Sequence, residues 1–227
     1  DGYHEMFTKV PRKLLFQYPI AYLQYIGLLL TSSDTEATAD GVARLDELQA
    51  VYMAMENLPP ERKNRILAEI SMIRIFASFN DPRKMVACTN EALRLFEDGQ
   101  SCIIQRESEA TFGSPHFLYS YYREPGRLRE TVDFMVSEFP ILPRLTDGCG
   151  MGCEYVTLAE YALETGDQSI AEQNAFKAIY KAKTKEQTSI AICANLTLIR
   201  LYIYQGKIDE AQKQLRQLES DVVKEKN

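Results

Sequence analysis

Apolar residues recur at intervals of three and four along almost the whole chain, which is the spacing of one face of an α-helix. The clearest example lies near the C-terminus, where polar residues separate Ile208, Ala211, Leu215, Leu218 and Val222. The segment before it, residues 188–205, is apolar on two sides, which indicates a helix packed between two neighbours. Strand-like alternation is nearly absent, so the pattern predicts an all-α fold.

Proline and glycine mark where these helices begin and end. Pro60 and Pro82 stand where proline fits best, in the first turn of a helix, and Gly206 is placed to end one. Pro19 is expected to start or kink the first helix. With the apolar spacing, these signals predict helices at about residues 12–31, 36–57, 60–79, 82–97, 115–122, 126–139, 149–165, 168–183, 187–205 and 208–224.

The chain contains an internal repeat. The string ALETGDQSIA at 162–171 aligns with YIYQGKIDEA at 202–211, an offset of 40 residues. In both strings the fifth residue is a glycine, suited to a helix end, and the tenth is an alanine, suited to close helix packing. A fainter copy lies at 79–87, where Asn80 replaces the turn glycine and Ala87 the alanine.

These strings resemble the tetratricopeptide repeat over about residues 150–224, and more weakly over 60–97. The period exceeds the family's 34 residues, and no proline closes the second helix of either clear copy. The resemblance implies stacked antiparallel helical hairpins, a tetratricopeptide-like superhelix. We expect N-terminal hairpins at 1–97, an irregular helical segment at 98–148, where Gly and Pro concentrate, and two repeats at 149–227, all in one continuous solenoid.

Three strings resemble the central helical domain of large LuxR-family transcription regulators, related to the activator of the maltose regulon. They are YPIAY at 18–22, TFGSPHFLYSYYREPG at 111–126 and RLTDGCGMGCEY at 144–155. In that family a nucleotide-switch ATPase precedes this domain and a DNA-binding helix-turn-helix follows it. The chain contains neither a phosphate-binding loop nor a basic recognition helix after residue 208. The resemblance therefore implies a sensor and relay that works with other modules of its parent protein.

Charge and hydropathy narrow the classes of partner. The formal net charge is −6 and the basic residues are scattered, so we expect no direct contact with nucleic acid. The longest apolar run, residues 20–30, is well short of the roughly 18 residues that span a bilayer, and no secretion signal opens the chain. We expect a cytoplasmic protein that does not contact membranes. Because the chain begins at Asp1 and not at a methionine, we also expect flanking sequence.

Two of the five cysteines, Cys149 and Cys153, are close enough in sequence to suggest half of a metal or redox site. A structural zinc needs four ligands, usually as two close pairs, and no second pair is present. The alternative is two thiols packed at a helix start, which we favour. We expect no metal and no cofactor. Only two histidines exist and no carboxylate pair stands out, so Glu160, Glu164 and Glu172 are interpreted as solvated and the chain as a non-enzyme.

The aromatic residues Phe112, Phe117, Tyr119, Tyr121 and Tyr122 are clustered in the irregular segment. They could form its core or contact a ligand, since tyrosine offers a flat apolar face and a hydroxyl. We expect a small-molecule inducer where this segment meets the first repeat. The candidate residues are His116, Tyr119, Tyr122, Arg123, Arg144, Glu154 and Tyr155. The alternative function is a tetratricopeptide-type scaffold that binds a protein or peptide partner in its concave groove.

Overall fold

A computed structural model describes residues 2–97, 99–108, 110–111 and 113–225, and all regular secondary structure in these ranges is helical. The helices are α1 (Gly2–Lys9), α2 (Arg12–Leu15), α3 (Pro19–Leu30), α4 (Thr35–Ala54), α5 (Pro60–Ala77), α6 (Pro82–Phe96), α7 (Phe117–Tyr121), α8 (Leu128–Glu138), α9 (Ile141–Leu145), α10 (Cys153–Thr165), α11 (Gln168–Thr184), α12 (Thr188–Tyr204) and α13 (Ile208–Glu225). The predicted all-α hairpin stack is confirmed.

The chain divides into two compact units, Asp1–Ile104 and Gln105–Asn227. The predicted division after residues 97 and 148 stays a prediction. Residues 105–148 of the irregular segment belong to the second unit, in which α7 and α8 both pack against α10. The continuity of the two units as one solenoid stays a prediction.

In the first unit, α3, α4 and α5 pack against one another and α6 packs on α5. The core contains fully buried Tyr22, Ile26, Leu48 and Ile70. The predicted helix at 12–31 is two helices, α2 and α3, because Pro19 occupies the first turn of α3. Proline there cannot continue a preceding helix, since it lacks the N–H group that the hydrogen-bond ladder requires.

In the second unit, α10, α11, α12 and α13 form successive antiparallel hairpins, and α10 also contacts α12. Helix α11 fits between α10 and α12 because it carries alanine at the contacts. Ala171, Ala175, Ala178 and Ala182 follow the helical spacing and are all fully buried. Ala171 lies in a cluster with side chains of α10 and α12, as the repeat alignment predicted for a close helix approach.

Three successive helices in this unit end in the same type of hydrogen-bonded turn. Gly166, Glu186 and Gly206 have positive φ angles of 86°, 55° and 71°, and they are 20 residues apart. In each turn the next N–H group donates to a carbonyl five residues earlier, at 2.8, 2.9 and 2.8 Å. This is the left-handed helix end that the two glycines predicted, and it occurs a third time at a glutamate.

The fainter third copy is only partly confirmed. Asn80 has a φ of 72°, as expected for a residue that replaces a turn glycine. Ala87 is exposed, so it does not mediate the close helix contact that the alignment predicted, and Met85 and Val86 are buried instead. The first unit therefore shares the left-handed turn residue but not the buried alanine.

The three turns lead to a reciprocal stability prediction. A Cβ atom at Gly166 would meet nothing within 4 Å, so Gly166→Ala adds only the strain of a left-handed backbone. We expect the free energy of unfolding to fall by about 1 kcal/mol. Glu186→Gly removes the same strain, so the free energy of unfolding should rise by a similar amount. Loss of the exposed Glu186–Arg106 ion pair, at 3.9 Å, should change it little. Urea unfolding would measure both. If the free energy of unfolding changed in the same direction in both variants, this explanation would be wrong.

Candidate functional site

Two of the seven predicted ligand residues, His116 and Tyr119, contact each other. His116 is the N-cap residue of α7, and its ring meets that of Tyr119 edge-on, with centroids 6.0 Å apart. Tyr119 is 39% exposed on this five-residue helix. His116 and Tyr119 therefore form one side of a surface that solvent reaches.

The contacts described for Tyr122, Glu154 and Tyr155 lead to other neighbours. The Tyr122 hydroxyl accepts a hydrogen bond from the Gly126 N–H group at 3.1 Å, and Glu154 lies 3.9 Å from the Cys153 thiol. The Tyr155 ring lies under a lysine ammonium group of α11.

Arg123 and Arg144 are exposed, on the loop after α7 and on α9 respectively. Phe112, from the aromatic cluster, lies outside the described residues. As a ligand site, the predicted set of seven stays a prediction.

Three residues that sequence reasoning did not select complete the cluster around His116 and Tyr119. They are Glu160 and Glu164 on α10 and Arg200 on α12. Arg200 donates from Nη2 to Glu164 Oε1 at 2.6 Å, and Tyr119 hydrogen-bonds to the same carboxylate. We call these five residues the α7–α10–α12 cluster.

Glu160 holds α7 in place. Its carboxylate accepts hydrogen bonds from the Phe117 and Leu118 N–H groups, at 2.9 and 2.5 Å, and so satisfies two donors that the start of a helix leaves unpaired. The side chain is 0% exposed, so the prediction that Glu160 is solvated is wrong. The reason is that α7 covers this part of α10, and spacing along α10 gives no sign of that.

The cluster changes the acid–base behaviour of its members. Burial raises the pKa of Glu160 to about 7, against the two N–H donors and Arg200, which lower it. Burial and the hydrogen bond to Glu164 raise the pKa of Tyr119 to about 12. Burial and the nearby Arg200 guanidinium lower the pKa of His116, so its imidazole is neutral at pH 7.

At neutral pH the cluster presents a neutral imidazole, a protonated phenol and an arginine–glutamate pair. Arg200 Nη1 is buried and finds no hydrogen-bond partner among the described residues. Side chains with both donors and acceptors beside an aromatic face suit a polar ligand with some apolar surface.

Of the other two acids predicted to be solvated, Glu164 is an exposed residue, as predicted, and Glu172 is half-buried. The side chains of Glu164 and Arg200 are each 28% exposed, so their pair is half-buried. Glu172 accepts a hydrogen bond from the Tyr202 hydroxyl at 3.3 Å. Both carboxylates connect α12 to an earlier helix.

Cys149, Cys153 and Cys193 are buried, and none of the five cysteines is in a disulfide. The thiols of Cys149 and Cys193 donate to the Ser108 and Ser114 carbonyl oxygens, at 3.3 and 3.4 Å. Burial raises the pKa of Cys153. Cys149 and Cys153 have the packing role at the start of α10 that we favoured from the sequence.

Within the described ranges, no group of three or more His, Cys, Asp or Glu side chains could hold a metal ion. In the same ranges, no helix is long and apolar enough to cross a membrane.

Gln187 fastens the irregular segment to the repeats. Its buried amide donates to the Arg106 carbonyl oxygen and accepts from the Gly150 N–H group, both at 2.7 Å. Gly152 lies where a Cβ atom would be 3.0 Å from the Ala178 carbonyl oxygen, and its φ is 95°. The two glycines therefore allow a close backbone approach, with Gly152 against α11 and Gly150 against Gln187, the N-cap residue of α12.

Comparison of the chain with protein-family models, characterised proteins and solved structures finds no significant match. The resemblance to LuxR-family regulators thus rests on the three sequence strings alone.

Proposed function

We propose that this chain is a ligand-sensing and signal-relay module of a bacterial transcription regulator, and that it binds its ligand without catalysing a reaction. The observation that carries the proposal is the α7–α10–α12 cluster, which contains two of the seven residues selected from the sequence, His116 and Tyr119. The ligand is a small polar molecule that stacks on Tyr119 and hydrogen-bonds with the Glu164–Arg200 pair.

The cluster suits a relay because its members come from different elements. Glu164 on α10 accepts from Arg200 on α12 and bonds to Tyr119 on α7. A ligand that replaces one of these hydrogen bonds changes how α7 is held against the two repeat helices. A ligand shifts a conformational equilibrium only through such a difference in contacts between two states.

The test is a thermal-shift screen of polar metabolites on the wild-type protein and on Tyr119→Phe. This change removes the hydroxyl that bonds to Glu164 and keeps the ring. We expect at least one metabolite to stabilise the wild type, and its apparent affinity for Tyr119→Phe to be at least about tenfold lower. A loss of this size is typical of a lost hydrogen bond to a charged group. Tyr180→Phe is the matched control, since Tyr180 is 71% exposed on α11.

Arg123→Gln in the same screen separates the cluster from the wider predicted site. If stabilisation by a metabolite depends on Arg123 and not on Tyr119, the ligand site lies at the loop after α7. A screen in which every stabilising metabolite affects the wild type and Tyr119→Phe equally would sink the proposed site.

A further inference from the structure

The α7–α10–α12 cluster contains a buried hydrogen-bond donor that lacks an acceptor. Arg200 Nη1 has no partner among the described residues, while Nη2 of the same guanidinium donates to Glu164 Oε1 at 2.6 Å. A buried donor without an acceptor is costly, above all when it belongs to a charged group. Such a donor in a native fold calls for an explanation.

Glu160 has the complementary property, because part of its capacity to accept hydrogen bonds is unused. Its side chain is 0% exposed, and each oxygen accepts one N–H group, from Phe117 at 2.9 Å and from Leu118 at 2.5 Å. An ionised carboxylate offers about four acceptor positions, so two stay open when Glu160 is charged. When Glu160 is protonated, one oxygen carries a proton and the group no longer attracts a cation.

Arg200 is placed to act on two carboxylates. Glu160 and Glu164 are one turn apart on α10, so they lie on the same face of that helix. Burial raises the pKa of Glu160 to about 7, and the charge of Arg200 acts in the opposite direction. A guanidinium presents five N–H donors in a planar fork, so one arginine can bond to both carboxylates.

The titratable and charged groups that adjoin Glu160 come from α7, α12 and α10 itself. They are His116, Tyr119, Arg200 and Glu164. Helices α8 and α11 pack on other sides of α10. Arg129 of α8 lies over the Tyr161 ring, and Lys177 of α11 lies over the Tyr155 ring. The charge of Glu160 is therefore met by Arg200.

We propose that Glu160 and Arg200 form a proton-controlled switch in the α7–α10–α12 cluster. With Glu160 protonated, Arg200 bonds to Glu164 alone, as in the structure. When Glu160 releases its proton to solvent, Arg200 Nη1 donates to the open side of the carboxylate, and the arginine bridges both glutamates. The loss of one proton thereby connects α12 to the side chain that holds the start of α7.

The switch also regulates the proposed ligand site, and this role rests on the proposed function. An arginine that bridges two carboxylates has fewer N–H groups left for a ligand beside Tyr119. A difference in contacts of this kind shifts a binding equilibrium. The change of partner itself requires no ligand, so the chain alone is sufficient to test it.

The experiment is NMR of the ¹⁵N-labelled chain between pH 5 and pH 8, with Arg200→Lys used to assign the Arg200 guanidinium signals. Exchange of unbonded guanidinium protons with water is catalysed by base and becomes faster as pH rises. Protection that grows with pH therefore identifies a new hydrogen bond. We expect the Arg200 Nη protons to become protected by at least about tenfold as Glu160 ionises, as for a hydrogen bond between charged groups.

Two variants identify the group that titrates. Glu160→Gln cannot ionise, so the protection should no longer depend on pH. Glu164→Gln is the matched control one turn away, and it should keep the pH-dependent protection because Glu160 is intact. Circular dichroism verifies that both variants keep the wild-type helix content.

Arg200 protons whose exchange in the wild type only becomes faster between pH 5 and pH 8 would overturn the proposal. Protection that persists in Glu160→Gln and disappears in Glu164→Gln would overturn it as well, since the titrating group would be Glu164. Failure of the metabolite screen, in contrast, overturns the proposed ligand site and not the switch.

Discussion

Ala171→Trp is expected to destabilise the second unit strongly. Ala171 is 0% exposed, and its cluster includes Ala162 and Leu163 of α10 and Leu201 of α12. An indole has no room there unless α11 moves away from both neighbours. We expect a loss of about 3 kcal/mol or more in the free energy of unfolding, at or beyond the usual range for overpacking.

Ala211→Trp should cost less, about 1–3 kcal/mol, because α13 packs mainly on α12 and not between two helices. Thermal melts would measure both losses. Gln173→Trp, on the exposed side of α11, is the control and should change the melting temperature little. Melts of both alanine variants that match the wild type would show that the repeat alignment is wrong.

Glu160→Ala should destabilise by about 2–5 kcal/mol, because it leaves the buried Phe117 and Leu118 N–H groups without an acceptor. The loss should depend on pH. Burial raises the pKa of Glu160 to about 7 from its ordinary value of 4.5, so its protonated form is the one that the fold favours. Its titration thus contributes stability that is fully present below about pH 4.5 and is lost as pH rises through about 7.

Glu160→Gln is the sharper variant for this test, because it keeps the size of the side chain and one carbonyl acceptor. Urea unfolding between pH 5 and pH 8 should show a deficit relative to wild type that shrinks as pH rises. Glu210→Gln removes an exposed charge and controls for net charge. A Glu160→Gln deficit that stays constant over this range would contradict the raised pKa.

The turns could be predicted from the sequence because each depends on one residue. A left-handed φ favours Gly166, Gly206 or Asn80 whatever lies around them. The same reasoning could not find the left-handed Glu186, since glutamate gives no local signal for that conformation. Helix α9, with Pro143 inside it, was missed because helix propensity argues against it.

The candidate site was found only in outline. The aromatic string identified α7, but its partners Glu160, Glu164 and Arg200 follow it by at least 39 residues in sequence. Glu160 and Glu164 are four apart on α10, which alone indicates a solvated face. Only the packing of α7 on α10 distinguishes the buried carboxylate from the half-exposed one, and helical spacing contains no information about that packing.

The hydrogen bonds that hold residues 105–118 against the repeat helices join residues far apart in sequence. Gln187 meets the Arg106 carbonyl group across 81 residues, and Glu160 meets the Leu118 N–H group across 42. Helices α10 to α13, in contrast, form contacts between consecutive hairpins. Contacts between distant residues carry the larger cost of loop closure and form slowly. The segment is therefore expected to join last when the unit folds, and amide hydrogen exchange should show α7 opening before the repeat helices.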